Sequence, residues 1–317
     1  MSLFLCGLAV LFIGGLASLL SGRRPALSSF LGAGGAVVGS LLAILPALAV
    51  LAGGRIESLR ANWSVPLGSF LVQIDPLSAV FLLPILGLSA LAAIYGAEYL
   101  WPYRQEKNLG VSWFFYNLLV VGMALVVAAR NGLLFLVAWE VMSLASFFLV
   151  TFEYERQMVR QAGNIYLVAM HIGTAFLIVF FVLLGAHAGS LDFDTIPAVP
   201  SSLAGALFLL AVVGFGTKAG FMPLHVWLPH AHPAAPSHVS AVMSGVMIKT
   251  GIYGLVRTVI LLGPPEAWWC WVLIAIGVVS GILGVLFALA QHDLKRLLAY
   301  HSVENIGIIT MGLGLGL

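Results

Sequence analysis

Ten apolar runs dominate what this chain can become, each near or beyond the ~20 residues a helix needs to cross a bilayer. They lie near 2–21, 27–53, 76–96, 111–129, 133–152, 162–188, 203–228, 237–262, 267–290 and 297–317. In hydrocarbon a backbone has to satisfy its own hydrogen bonds, so runs of this kind fold as helices. Composition agrees: the 317 residues are 61% hydrophobic and 8% charged, with a mean hydropathy of +1.08, whereas soluble domains carry about 25% charged residues. The expectation is an all-α polytopic membrane protein of about ten transmembrane helices. No basic segment precedes the first run, and Arg23 and Arg24 follow it, which argues against a cleaved secretory signal. Between the second and third runs lies the hydrophilic stretch 53–75, where the alternation in SFLVQI predicts a short surface strand or hairpin.

Lysine and arginine in the loops set the orientation. With the N-terminus outside, the inner loops hold Arg23, Arg24, Arg104, Lys107, Arg156, Arg160, Lys295 and Arg296, and the outer side holds Arg55, Arg60, Arg130 and Arg257. This asymmetry favours both termini outside. The formal charge of +2 is not arranged as a basic stripe with stacking aromatics, so no nucleic acid is expected as a partner. Cys6 and Cys270 are too few to hold an iron–sulfur cluster and frame no disulfide scaffold. Any redox chemistry then belongs to a partner subunit.

Four ionisable residues fall where a lipid-spanning helix has no use for them. Glu140 sits inside LLFLVAWEVMSLASFF, Lys218 and Lys249 lie within the seventh and eighth runs, and Glu304 is several residues into the last. A charge at a helix centre costs roughly 2.5–3.5 kcal/mol on insertion scales, so such groups face protein or water and pair with one another. At 1.5 Å per residue Glu140, Lys249 and Lys218 come about 10, 18 and 23 Å from the starts of their runs. Tilt allowed for, that is one central band. Two readings follow: a relay of titratable groups, or a structural ion pair that fixes helix register.

The seventh run is also broken. Pro223 and Pro229 lack the N–H that the carbonyls of Ala219 and His225 would accept, and Gly214, Gly216 and Gly220 loosen the same stretch. A broken helix beside an ionisable residue is how transporters build ion sites. On the eighth run His238 and Lys249 are eleven residues apart, within about 20° on an α-helix. Val242 and small Gly245 between them leave room for water, so His238 either links an inner vestibule to Lys249 or caps its helix. His225, His230, His232 and His238 crowd one segment without a cysteine or carboxylate to complete a metal set. Proton uptake by groups titrating near neutrality suits them better. In the last run His301, Glu304 and Asn305 share a face, as the start of a second relay or as helix-interface contacts. No nucleophile motif, P-loop, dinucleotide fingerprint or haem-ligand pair is evident, so neither a cofactor nor a metal is expected.

Three blocks carry a family resemblance: GFGTKAGFMPLHVWLPHAHPAAPSHVSAVMSGVMIKTGIYGLVR (214–257), AWEVMSLASFF (138–148) and DLKRLLAYHSVENIGII (293–309). Together they resemble the antiporter-like membrane subunits of respiratory complex I, Mrp sodium/proton antiporters and membrane-bound hydrogenases. PAAPSHVSAVMSG and HSVENIG point to the large antiporter-like subunit of the hydrogenase-4 and formate hydrogenlyase group. The resemblance implies two inverted five-helix repeats and a proton path in which a glutamate on the fifth helix pairs with a lysine on the broken seventh. A lysine or histidine on the eighth continues it. These positions are Glu140, Lys218 and Lys249, with His238, His225, His232 and Glu304 as further path residues. On the same basis the chain divides into an N-terminal three-helix segment with an outer hairpin (1–100), a first repeat (107–262) and the start of a second (267–317).

The function so implied is proton translocation in a prokaryotic cytoplasmic (inner) membrane, as one subunit among membrane and peripheral redox partners. The alternatives are an Mrp-type Na⁺/H⁺ antiporter subunit and a non-transporting scaffold. Many relatives have an acidic residue at the position of His230, and the family pattern continues beyond the tenth helix through the rest of the second repeat.

Overall fold

The computed structural model describes residues 1–63 and 68–317; of the hydrophilic stretch 53–75, residues 64–67 lie outside the described residues. Helices follow the apolar runs. In order they are α1 (Ser2–Leu20), α2 (Pro25–Leu51), α3 (Pro76–Tyr99), α4 (Leu109–Ala128), α5 (Gly132–Val150) and α6 (Gln157–Ala188). They continue with α7 (Ser201–Ala219), the short α8 (Leu228–Ala234) and α9 (Ser237–Val242), then α10 (Lys249–Leu262), α11 (Ala267–Leu289) and α12 (Leu294–Gly316). The expected hairpin is present between α2 and α3: β1 (Glu57–Ala61) pairs antiparallel with β2 (Phe70–Ile74).

Among the described residues nine helical stretches are long and apolar enough to cross a membrane, α9 to α10 counting as one. The tenth expected span, α12, has the length but is less apolar, with Tyr300, His301, Glu304 and Asn305 in its middle.

Two compact units make up the chain: residues 1–152 with 235–247, and residues 153–234 with 248–317. In the first, α1 and α2 approach closely because small residues face each other. A Cβ on Gly14 would come within 2.8 Å of Gly35 Cα, and one on Gly7 within 2.7 Å of Ala43. Without a hydrophobic drive between helices in lipid, close backbone packing of this kind holds them together. The second unit is built from α6, α7, α8, α10, α11 and α12. Each unit turns apolar side chains outward, Phe30, Leu41 and Leu91 in the first and Ile172, Val182 and Leu289 in the second. That is the surface expected of lipid-facing helices.

Helix starts are marked by side-chain caps. Asp75, Asn108, Asn131 and Asp293 accept from backbone N–H groups in the first turns of α3, α4, α5 and α12. Asp75 does two jobs. One carboxylate oxygen caps α3 through the Ser78 N–H at 2.8 Å, and the other meets the buried Arg130 guanidinium at 2.6 Å. The Arg130 N–H in turn donates to the Leu71 carbonyl at 2.9 Å, which fastens β2 to the turn between α4 and α5.

Removing one partner of a buried ion pair strands the other charge. Arg130→Ala is therefore expected to destabilise the chain by about 3 kcal/mol, the low end for such pairs because Asp75 keeps some solvent contact. Asp75→Asn keeps a capping oxygen, so Asp75→Ala should exceed it by about 1 kcal/mol. Thermal midpoints of the purified chain in detergent check both, and equal midpoints for Asp75→Asn and Asp75→Ala would remove the capping role.

Candidate functional site

Lys218 is the second-last residue of α7 and is only 1% exposed. The helix stops one residue later because Gly220 takes a left-handed conformation, φ +79°, that a glycine adopts without strain. The break is thus made by glycine, and Pro223 follows it. Pro229 does not break a helix, contrary to the expectation from sequence. It lies in the first turn of α8, where a missing N–H is harmless.

The groups released by the break find partners inside the second unit. The Trp227 indole N–H donates to the Thr217 carbonyl at 2.8 Å, and the Met222 N–H donates to Ser280 Oγ on α11 at 2.9 Å. These bonds hold residues 221–227 in place. Trp227 then stands edge-on to Tyr166 of α6, ring centres 5.1 Å apart, and stacks with His232 of α8 at 6.3 Å.

The ammonium of Lys218 reaches Tyr166 Oη at 3.4 Å and Met170 Sδ at 3.3 Å, and lies 5.7 Å from the centre of the Tyr166 ring. An aromatic face attracts a cation, more so out of water. Lys249 begins α10, which packs against α7 with no side chain between: a Cβ on Gly251 would lie 2.5 Å from the Phe215 carbonyl oxygen. His232 is buried, and the positive charges of Lys249 and Lys295 act on it. One unit therefore gathers Lys218, Tyr166, Met170, Trp227, His232 and Lys249.

The remaining predicted residues are placed as follows. His225 is half-buried after the break, its ring 6.2 Å from that of Tyr300. Glu304 pairs with His301 at 2.6 Å on α12, the i,i+3 contact that the shared face implied, while Asn305 is exposed. In the first unit Glu140 is half-buried on α5, eight residues past its first residue, Gly132, or about 12 Å along the axis. His238 is 1% exposed and ringed by Tyr99, Trp113 and Tyr116 at 5.7, 6.1 and 5.7 Å. A Cβ on Gly96 would approach its ring to 2.8 Å. It does not cap α9, whose N-cap is Pro236.

Two sequence expectations about the eighth run need correction. A π-helical turn, Met243–Met247, separates His238 from Lys249, so the rotation of 100° per residue does not run through and the one-face arithmetic lapses. Gly245 leaves no room for water, because Leu88 of α3 fills the space a side chain would take, 2.3 Å from a notional Cβ. Arg257, assigned to an outer loop, lies inside α10 and is buried, its guanidinium donating to Tyr253 Oη at 3.1 Å. The signal was a lone charge in the apolar run YGLVRTVILL, which the loop count absorbed. Tyr166 and Met170 were missed entirely. Among the described residues no group of three or more His, Cys, Asp or Glu is arranged to hold a metal ion.

A family model described as NADH:quinone oxidoreductase/Mrp antiporter, transmembrane, matches residues 129–317. Hydrogenase-4 component B of Escherichia coli is 43% identical over 252 residues, covering 78% of this chain and 37% of that protein. Formate hydrogenlyase subunit 3 of the same organism is 33% identical over 318 residues, 99% of this chain and 50% of that one. Among solved structures, a chain of the Mrp complex from a Dietzia species superposes with a TM-score of 0.86 at 26% identity, over 100% of this chain and 34% of that chain. The chain spans about a third to a half the length of these relatives.

Trp227→Phe keeps a ring beside Tyr166 and His232 but leaves the buried Thr217 carbonyl without its indole donor. A loss of about 1–3 kcal/mol is expected, read as a lower thermal midpoint in detergent. An unchanged midpoint would mean that the carbonyl is satisfied by other means.

Proposed function

Because the chain belongs to the NADH:quinone oxidoreductase/Mrp antiporter transmembrane family, we propose that it is a proton-translocating subunit of a redox assembly. The assembly would be a membrane-bound hydrogenase of the hydrogenase-4 or formate hydrogenlyase kind, seated in a prokaryotic cytoplasmic membrane. The observation that carries this reading is Lys218, a buried ammonium against a phenol and a thioether at the end of a broken helix. Such a group is held between opposed influences. Burial disfavours its charge, whereas the C-terminal end of α7 and the Tyr166 ring favour it. A small movement of a neighbouring charge then decides whether the proton stays.

In this reading Lys218 carries the proton and Glu140 tunes it from α5. Lys249 passes the proton on, with His232 beside it, and His238 and His225 serve uptake from the inner side. Glu304, paired to His301, opens the second half of the path. The sequence division into 1–100, 107–262 and 267–317 supplies the repeats on which the two halves are built. Redox chemistry falls to partner subunits.

A second reading, an Mrp-type Na⁺/H⁺ antiporter subunit, draws on the fold likeness to an Mrp complex. Sodium wants several oxygen ligands, and buried carboxylates are few along this path.

Lysine can give up its proton when desolvated, whereas arginine stays charged. Lys218→Arg is therefore expected to preserve assembly yet lose proton uptake by membrane vesicles containing the whole complex. Lys218→Ala should also lower the yield of complex on a native gel, since it strands any charge that Lys218 compensates. Lys249→Met, of similar volume, should assemble normally and not pump. Uptake by Lys218→Arg at the unmodified rate would overturn the relay, and uptake that requires sodium would transfer the assignment to the antiporter reading.

A further inference from the structure

Away from Lys218, the second unit contains a cavity of about 170 Å³, several times the volume of a water molecule. Its polar lining is Glu153, Arg156, His230 and Arg296. Arg156 pairs with Glu153 at 2.9 Å while its side chain stays 70% exposed. Arg296, in the first turn of α12, is half-buried, and among the described residues no side chain forms a hydrogen bond or ion pair with its guanidinium. Burial, and then the positive charge of Arg296, lowers the pKa of His230 and so disfavours its charged form. The cavity thus holds two guanidiniums against one carboxylate. That leaves one unit of positive charge for an anion.

Its other walls are apolar. Val159 and Ala162 of α6 face Pro229 of α8, and Met158, 77% exposed, also lines the cavity. Arg156 and Arg296 sit where α6 and α12 begin, at the level where a spanning helix meets headgroups. The loop charges place that level on the cytoplasmic side, whose leaflet is rich in anionic lipid. A guanidinium fork matches phosphate oxygens two at a time, and an apolar wall with an exposed methionine suits glycerol and acyl carbons.

We propose that this cavity seats the phosphodiester of an anionic phospholipid, the phosphate between Arg156 and Arg296 and the lipid carbons along Met158 and Val159. One negative charge from the lipid balances the surplus guanidinium. The bound lipid would bridge α6, α8 and α12, of which α6 carries Tyr166 and α8 carries His232. This inference rests on the membrane location of the chain and not on its carrying protons.

The test is lipid retention. The purified chain is reconstituted in vesicles of equal parts phosphatidylglycerol and phosphatidylcholine, re-extracted in mild detergent and weighed by native mass spectrometry. The unmodified chain should retain phosphatidylglycerol in preference to phosphatidylcholine. Arg296→Gln and Arg156→Gln should each lower that retention about fivefold, the factor expected for one basic group at an anionic surface, and leave phosphatidylcholine unchanged. Arg296→Lys should restore part of it. Arg156 is exposed enough that its replacement leaves the fold alone, so it gives a reading even if Arg296→Gln is poorly made. Phosphatidylglycerol retained equally by the unmodified chain and the glutamine variants overturns the proposal. So does displacement of the lipid by excess inorganic phosphate, which would make the cavity a free-phosphate site.

Discussion

A helix that stops among buried side chains releases backbone groups that must find protein partners, and the second unit is organised around that constraint. α7 ends at Ala219 because Gly220 turns left-handed, and the Thr217 carbonyl then takes its donor from Trp227. This bond, with the one from the Met222 N–H to Ser280 Oγ, fixes the segment joining α7 to α8. Tyr166, Trp227 and His232 come into line as a result, and Lys218 is left against Tyr166 and Met170. The chemistry of the lysine and the repair of the backbone are one arrangement.

Buried charges elsewhere in the chain are held in other ways. Asp75 and Arg130 form a tight buried pair whose evident work is to cap α3 and fasten the hairpin. The partners of Lys218 include the soft, polarisable Tyr166 ring and Met170 Sδ, which stabilise an ammonium. His238 differs again, being enclosed by three aromatic rings, Tyr99 of α3 and Trp113 and Tyr116 of α4, with Gly96 close against its ring. Burial alone does not make a buried ionisable group functional. The partners decide how easily its charge can change.

Much was legible in the sequence. Apolar runs of membrane length, the period-2 alternation in SFLVQI, and isolated charges such as Glu140, Lys218 and Lys249 are local signals, because insertion energetics and strand pleating act on short windows of chain. The three-residue spacing of His301 and Glu304 foretold their contact for the same reason. Arithmetic failed where it assumed regular geometry throughout. The π turn at Met243–Met247 altered the rotation between His238 and Lys249, Leu88 occupied the space beside Gly245, and Gly220 rather than a proline ended α7.

The sequence by itself determined that the chain is a bundle of membrane-spanning helices with a broken seventh run and titratable residues inside apolar runs. Length, hydropathy and glycine or proline placement are properties of contiguous residues. Tertiary structure decided what those residues touch. Tyr166 and Met170 stand 52 and 48 residues before Lys218, Ser280 stands 58 after Met222, and Arg257 is buried within α10. No periodicity encodes such meetings. They depend on which helix faces pack together, and small residues such as Gly251, spread along the chain, set that choice by letting backbones approach closely.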